Sequence, residues 1–158
     1  MRIITFIFIF LSASVQATVQ MPEKFEVDSA YFDIYQEPLE SYPQRDKIVG
    51  KLTESFCTAN YRGYQGWWEI SEGFLWLSGM SENPCDDVPK EIEIEELFNT
   101  EDHRIKATWY SGDIIVRIGE RTFFEGSRRT EYQAVVYSFI RGKLSKREIR
   151  TVVGRSNF

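Results

Sequence analysis

Between residues 60 and 80 the chain reads NYRGYQGWWEISEGFLWLSGM. Two aromatic runs in this stretch flank Ser71-Glu72-Gly73, three turn-forming residues that end in a glycine. Short aromatic runs joined by such a turn predict a β-hairpin. The segment therefore indicates a β-rich fold with an antiparallel pair near the middle of the chain.

The two adjacent tryptophans of this hairpin should have different environments. Successive residues of a strand point to opposite faces, so Trp67 and Trp68 cannot both enter the same core. Trp68 shares its face with Tyr64 and Ile70 under a period of two, and we assign it to the core. Trp67 is then the tryptophan expected on the outer face.

The rest of the chain repeats the strand pattern. Alternating apolar and polar residues, rich in aromatic and β-branched types, predict half-buried strands. Residues 36–51 predict a loop with about one helical turn. Residues 91–98 predict a short strand that runs into a second helical turn. The predicted strand pairs are 25–27 with 31–35, 104–110 with 113–118, and 131–140 with 144–153. For 104–118, one long strand bent at Gly112 is the alternative. This arrangement favours a mostly β fold, an antiparallel sandwich or incomplete barrel with at most two short helical turns.

The N-terminus has the features of a signal peptide. Arg2 is followed by an apolar run from Ile3 to Leu11 and by small residues that end in Val15-Gln16-Ala17. These are the basic, apolar and cleavage regions of a secretory signal. We therefore expect residues 1–17 to be removed and residues 18–158 to form one domain, periplasmic or secreted, with no stable membrane anchor.

Export bears on the two cysteines, Cys57 and Cys85. In an oxidising compartment such a pair is more often bridged than free, so we predict a disulfide that closes the base of the hairpin. A metal site with His103 is the alternative, but the chain lacks the paired C-x-x-C spacing of zinc sites.

Charge is distributed unevenly along the chain. Residues 18–100 contain 17 acidic and 6 basic side chains, whereas residues 101–158 contain 7 and 12. Either acidic and basic strands pair across the sheet, or a basic face meets an anionic partner. Export and the net charge of −5 argue against nucleic acid as that partner.

Several short motifs of this chain resemble those of a family of small bacterial proteins that has no assigned activity. The matching segments are Cys57-Thr58-Ala59, Arg62-Gly63-Tyr64, Trp68-Glu69-Ile70, Leu75-Trp76-Leu77 and Trp109-Tyr110-Ser111-Gly112. The family pattern is S-T-A-x-x-R-G-Y-x-x-x-W-E-I, a turn, L-Y-L, and later W-[FY]-[ST]-G. The resemblance covers most of the mature chain and implies one compact domain, but no activity, cofactor or partner. A cysteine stands here where the pattern has serine, which suits a disulfide added in an exported member.

Catalytic motifs are sparse. His103 is the sole histidine, it lies in a charged stretch, and no G-x-S-x-G segment exists to supply a nucleophile. The sequence also has no phosphate loop, dinucleotide fingerprint or calcium loop, so we expect no cofactor and no metal.

The aromatic hairpin is the better candidate for a binding site. We predict Trp67, Glu69, Arg62 and Tyr61 as binding residues, because aromatic and arginine side chains concentrate in binding sites. The favoured function is a non-catalytic interaction domain, one form being an immunity or inhibitor protein. A glycan-binding or glycan-cleaving protein that uses Glu69 is the first alternative, and a structural envelope protein is the second. An arginine-paired strand acid is the simpler interpretation of Glu69.

Overall fold

A computed structural model describes residues 20–52 and 57–155. The predicted signal peptide, residues 1–17, lies outside them. Ten strands and three short helical segments are found in the described part. The strands are β1 (Glu23–Val27), β2 (Ala30–Ile34), β3 (Tyr64–Ser71), β4 (Phe74–Glu82), β5 (Lys90–Ile92), β6 (Ile105–Lys106), β7 (Gly112–Arg117), β8 (Thr122–Phe123), β9 (Arg129–Ile140) and β10 (Lys143–Arg155). The helices are α1 (Arg45–Val49), α2 (Ile94–Phe98) and a 3-10 turn (Pro38–Ser41).

The described strands form one mixed sheet that curls without closing into a barrel. Its order is β2-β1-β3-β4-β10-β9-β7, with β5 and β6 attached to β4 and β8 attached to β9. The two ends of this order, β2 and β7, are not paired, although the Ile115 N–H donates to the Gln36 side chain across the gap at 3.2 Å. The predicted fold class, a mostly β incomplete barrel, is confirmed.

Three of the hairpins form through local turn chemistry. Each has a two-residue turn in which both residues have positive φ, a geometry that matches the twist of the flanking strands. The turns are Asp28-Ser29, Glu72-Gly73 and Arg141-Gly142. They join β1 to β2, β3 to β4 and β9 to β10, as the sequence predicts.

Two pairings differ from the sequence prediction. Strand β1 runs parallel to β3, with Phe25 opposite Trp68, so the sheet is not wholly antiparallel. The predicted pairing of 104–110 with 113–118 is wrong, because β6 pairs with β4 whereas β7 pairs with β9. The chain turns between them, where the Tyr110 N–H donates to the Ala107 carbonyl at 3.0 Å. This turn brings Tyr110 to the core.

The core fills the space inside the curled sheet. Its largest fully buried apolar side chains come from both halves of the chain: Trp68, Tyr64, Phe25, Ile34, Leu39, Leu75, Leu77, Met80, Ile114 and Val116. The assignment of Trp68 to the core is confirmed, since only 1% of its surface is exposed.

The predicted disulfide is present. Cys57 and Cys85 are bonded, with 6.5 Å between their Cα atoms. They lie beyond the open end of the β3–β4 hairpin, where Tyr64 pairs with Glu82. No helix within the described residues is long and apolar enough to span a membrane.

Candidate functional site

Trp67 lies on the outer face of β3, half-buried, directly opposite Gly79 of β4. A Cβ atom at Gly79 would lie only 2.8 Å from Cε3 of the Trp67 ring. The ring therefore occupies the place of the missing side chain, and any larger residue at position 79 would displace it.

A local irregularity in β4 accompanies this arrangement. The register shifts between Trp67, which is opposite Gly79, and Trp68, which is opposite Leu77. Ser78 is the extra residue of this bulge, and its hydroxyl donates to the Trp67 carbonyl at 3.2 Å. Bulges bend a strand and redirect side chains, so this one helps to set the direction of the Trp67 ring.

A groove of about 490 Å³ surrounds Trp67, and we call it the Trp67 groove. It runs over the outer face of β1, β3 and β4 towards β5 and α2. Tyr31 stands at one side with 66% of its surface exposed. The acidic side chains that line the groove are Glu26, Glu69, Glu91, Glu93 and Glu95, and His103 lies among them.

Some of these acids have partners. Arg104 binds the Glu69 carboxylate, and its guanidinium also lies 4.2 Å from the centre of the Trp76 ring. A backbone hydrogen bond and, to a smaller extent, a hydrogen bond with His103 lower the pKa of Glu95. The arginine partner of Glu69 agrees with the simpler interpretation of that residue.

The remaining acids leave the groove negative. A hydrogen bond with the Glu26 carboxylate raises the pKa of Tyr31, which places that hydroxyl beside an acid. Glu91 and Glu93 form no ion pair within residues 20–52 and 57–155. The Trp67 groove therefore combines exposed aromatic rings with unneutralised carboxylates.

Two of the four predicted binding residues meet in this groove and two do not. Trp67 and Glu69 line it. Tyr61, 69% exposed, lies in the turn before β3, where its N–H donates to the Gln20 side chain at 3.4 Å. The Arg62 side chain is only 8% exposed. The binding role of all four residues stays a prediction.

Arg62 instead belongs to a buried polar cluster. It binds Glu37 and donates to the Met21 carbonyl at 2.9 Å, and its Nη1 lies 3.8 Å from the Glu23 carboxylate. Glu23 is wholly buried and accepts a hydrogen bond from Nε1 of Trp68. Burial raises the pKa of Glu23 to about 8, although Arg62 opposes the shift.

Sequence reasoning missed both Glu23 and most of the groove. The period of two in β1 places Glu23 on the same face as buried Phe25, which is a signal that could have identified it. Tyr31, Gly79 and the acids of 91–95 have no such signal, because only the packing of distant strands brings them to Trp67.

Comparison with known proteins found no matching family model, no matching curated protein and no matching solved structure. Within the described residues no three His, Cys, Asp or Glu side chains are placed to hold a metal ion. The geometry of the Trp67 groove is therefore the basis for a functional proposal.

Proposed function

We propose that the mature chain is a non-catalytic interaction domain that binds a protein partner through the Trp67 groove. The observation that carries this proposal is a half-buried tryptophan and an exposed tyrosine, Trp67 and Tyr31, in one groove with carboxylates that lack cationic partners. Tryptophan and tyrosine dominate the energy of many protein interfaces because they bury a large area at low entropic cost.

The charge of the groove identifies the kind of partner. Glu91 and Glu93 would pair with lysine or arginine side chains, and a guanidinium could also stack on the Trp67 ring. A basic surface patch is therefore the complementary partner. Opposite charges would also speed the encounter of the two proteins.

The N-terminal sequence and the disulfide support a periplasmic or secreted location. An immunity or inhibitor protein that binds a basic toxin or enzyme in that compartment is the specific form we favour. Its acidic groove would cover the partner's basic surface.

The test is affinity capture from a periplasmic extract of the producing organism, with the disulfide-bonded chain from Thr18 as bait. Three baits are compared: wild type, Trp67→Ala and Phe123→Ala. Phe123 is a matched control, because it is an exposed aromatic residue that does not line the Trp67 groove. We expect wild type and Phe123→Ala to capture the same basic protein and Trp67→Ala to bind it at least about tenfold more weakly.

Purified partner and bait then give the affinity by titration calorimetry. The double variant Glu91→Lys with Glu93→Lys should bind the partner more weakly than wild type, because two carboxylates that attract a basic surface are replaced by ammonium groups that repel it. This loss of affinity should diminish at high salt. Equal capture by wild type and Trp67→Ala, or capture of no protein by any bait, would contradict the proposal.

Glycan binding in the same groove is the second candidate. It is favoured by the position of the Trp67 ring beside Glu69 and Ser78, since sugar rings stack on aromatic faces and bind polar groups at their edges. Titration with chitohexaose separates the two candidates. A glycan site predicts saturable binding that Trp67→Ala abolishes, whereas the protein-binding site predicts none.

A further inference from the structure

The gap between the two ends of the sheet forms a second groove, of about 340 Å³, which we call the seam groove. It lies on the outer surface between β2 and β7. Its volume is at the lower end of the range for small-ligand sites, about 300–1,000 Å³. The side chains that matter here are Tyr31, Asp33, Tyr35, Arg117, Arg121 and Tyr132.

The seam groove is positively charged. Arg117 and Arg121 form no ion pair within the described residues. Asp33 is an acid in the lining, but Lys24 binds its carboxylate at 2.6 Å. Two guanidinium groups are therefore left to attract an anion, and guanidinium binds carboxylate and phosphate through paired hydrogen bonds.

Aromatic rings form the rest of the surface. Tyr31 and Tyr35 are 66% and 61% exposed, respectively. Tyr132 is half-buried, with the Arg121 guanidinium 5.5 Å from its ring centre. Tyrosine offers a flat apolar face and a hydroxyl at its edge, which suits a ligand whose rings carry hydroxyl groups.

An extended peptide fits this groove less well. A peptide that adds to a sheet edge needs free backbone donors and acceptors along that edge. On β7 the Ile115 N–H is bound by Gln36, and the Asp113 carbonyl accepts from the Tyr110 hydroxyl at 2.9 Å. Side chains rather than backbone groups are thus the recognition elements of the seam.

We propose that the seam groove binds an anionic oligosaccharide. Its sugar rings stack on Tyr31 and Tyr35, and its carboxylates pair with Arg117 and Arg121. The chemistry is opposite in charge to that of the Trp67 groove, and the proposal does not depend on the function proposed for that groove.

The test is calorimetric titration of the disulfide-bonded chain with three probes: an oligogalacturonate hexamer, neutral maltohexaose and inorganic phosphate. We expect saturable binding of the oligogalacturonate at low salt and at least tenfold weaker binding of the other two. The double variant Arg117→Gln with Arg121→Gln should lose at least tenfold in affinity, and Tyr35→Ala should also bind more weakly. Arg128→Gln with Arg141→Gln is the matched control, since it removes two exposed arginines outside the groove.

Each other outcome overturns the proposal. Absence of oligogalacturonate binding would show that the groove does not take this ligand. Equal binding of maltohexaose would remove the role of the arginines, and equal binding of phosphate would remove the role of the rings. An equal loss of oligogalacturonate affinity in the control variant would show that net charge, rather than the groove arginines, is responsible for binding. Thermal melts of all variants confirm that they fold, and Trp67→Ala should bind the oligogalacturonate like wild type.

Discussion

Glu23 is a carboxyl group placed where water does not reach. Its side chain is fully buried beside Gly66, and a Cβ atom at Gly66 would lie 3.1 Å from the Glu23 carboxylate and 2.9 Å from Nε1 of Trp68. Nε1 of Trp68 and the nearby Arg62 guanidinium are its polar neighbours. Burial of an ionised carboxylate is costly unless it is fully paired, and one of its oxygens, Oε1, has no hydrogen-bond partner.

The free energy of unfolding should therefore fall as pH rises. Burial raises the pKa of Glu23 to about 8 from its ordinary value of 4.5. Between these values the folded state holds a proton that the unfolded state has lost, so folding is favoured at low pH and this advantage disappears through pH 8. At about 1.4 kcal/mol per pH unit, the effect has an upper bound of about 5 kcal/mol.

Urea unfolding of wild type and Glu23→Gln at pH 5, 6.5, 8 and 9 checks this. Glutamine keeps an oxygen for Trp68 but does not ionise, so the variant should gain stability relative to wild type as pH rises. The Glu23 charge also acts on Tyr64 and Tyr110, but burial raises the pKa of both hydroxyls above the pH range of this experiment, so the difference between the two proteins isolates Glu23. Parallel pH profiles for the two proteins would contradict the prediction.

At the scale of elements, the turn of the β3–β4 hairpin has an unusual first residue. Glu72 has φ of 53° and Gly73 has φ of 75°. Glycine adopts this backbone region freely, whereas glutamate pays a steric cost that asparagine largely avoids. Asparagine followed by glycine is the preferred pair in such turns.

We predict that Glu72→Asn raises the free energy of unfolding by about 0.5–1 kcal/mol. Glu120→Asn is the control, because it also removes one exposed negative charge but does not have positive φ. Chemical denaturation of both variants gives the comparison. The same change in stability for both would show that charge, rather than turn geometry, is responsible.

The same turns explain how much of the fold the sequence predicts. Hairpins such as β3–β4 depend on residues that are neighbours in the chain, so local patterns identify them. The parallel β1–β3 pair depends on segments about 40 residues apart, where Lys24 meets Trp67 and Phe25 meets Trp68, and no local pattern encodes it. The candidate site divides in the same way. The hairpin pattern predicts an outward Trp67, whereas its neighbours Tyr31 and Glu26 arrive through that parallel pair.

At the scale of the whole molecule, the uneven charge of the sequence becomes two surfaces. The acidic and basic halves of the sheet meet along β4, where Phe74 pairs with Lys143 of β10 and Trp76 pairs with Lys106 of β6. Among the described residues, the Glu69–Arg104 ion pair and the Glu95–His103 contact cross from one half to the other. Cross-strand pairing therefore neutralises little of the charge, which leaves an acidic Trp67 groove and a basic seam groove that share Tyr31.

The disulfide ties the loop before β3 to the loop after β4, outside the apolar core. Cys57 and Cys85 are 28 residues apart, and closing a loop of that length should contribute about 3–4 kcal/mol to the free energy of unfolding. In the chain-entropy model this contribution comes from the restricted unfolded chain, and it does not require burial of the bond, whose Cys57 is half-buried and Cys85 exposed.

Replacing both cysteines, as in Cys57→Ser with Cys85→Ser, should therefore lower the stability of the exported protein by about that amount while the sheet still forms. Guanidinium unfolding gives the stability, and near-ultraviolet circular dichroism reports the packing of the tryptophan and tyrosine rings. Treatment of wild type with dithiothreitol should reproduce the loss, since Cys85 is exposed, whereas the double variant should not respond. An unfolding midpoint that is the same with and without the bond would contradict the stabilising role of the bridge. Free thiols that react with an alkylating reagent before reduction would contradict the bridge itself and the oxidising compartment proposed for this protein.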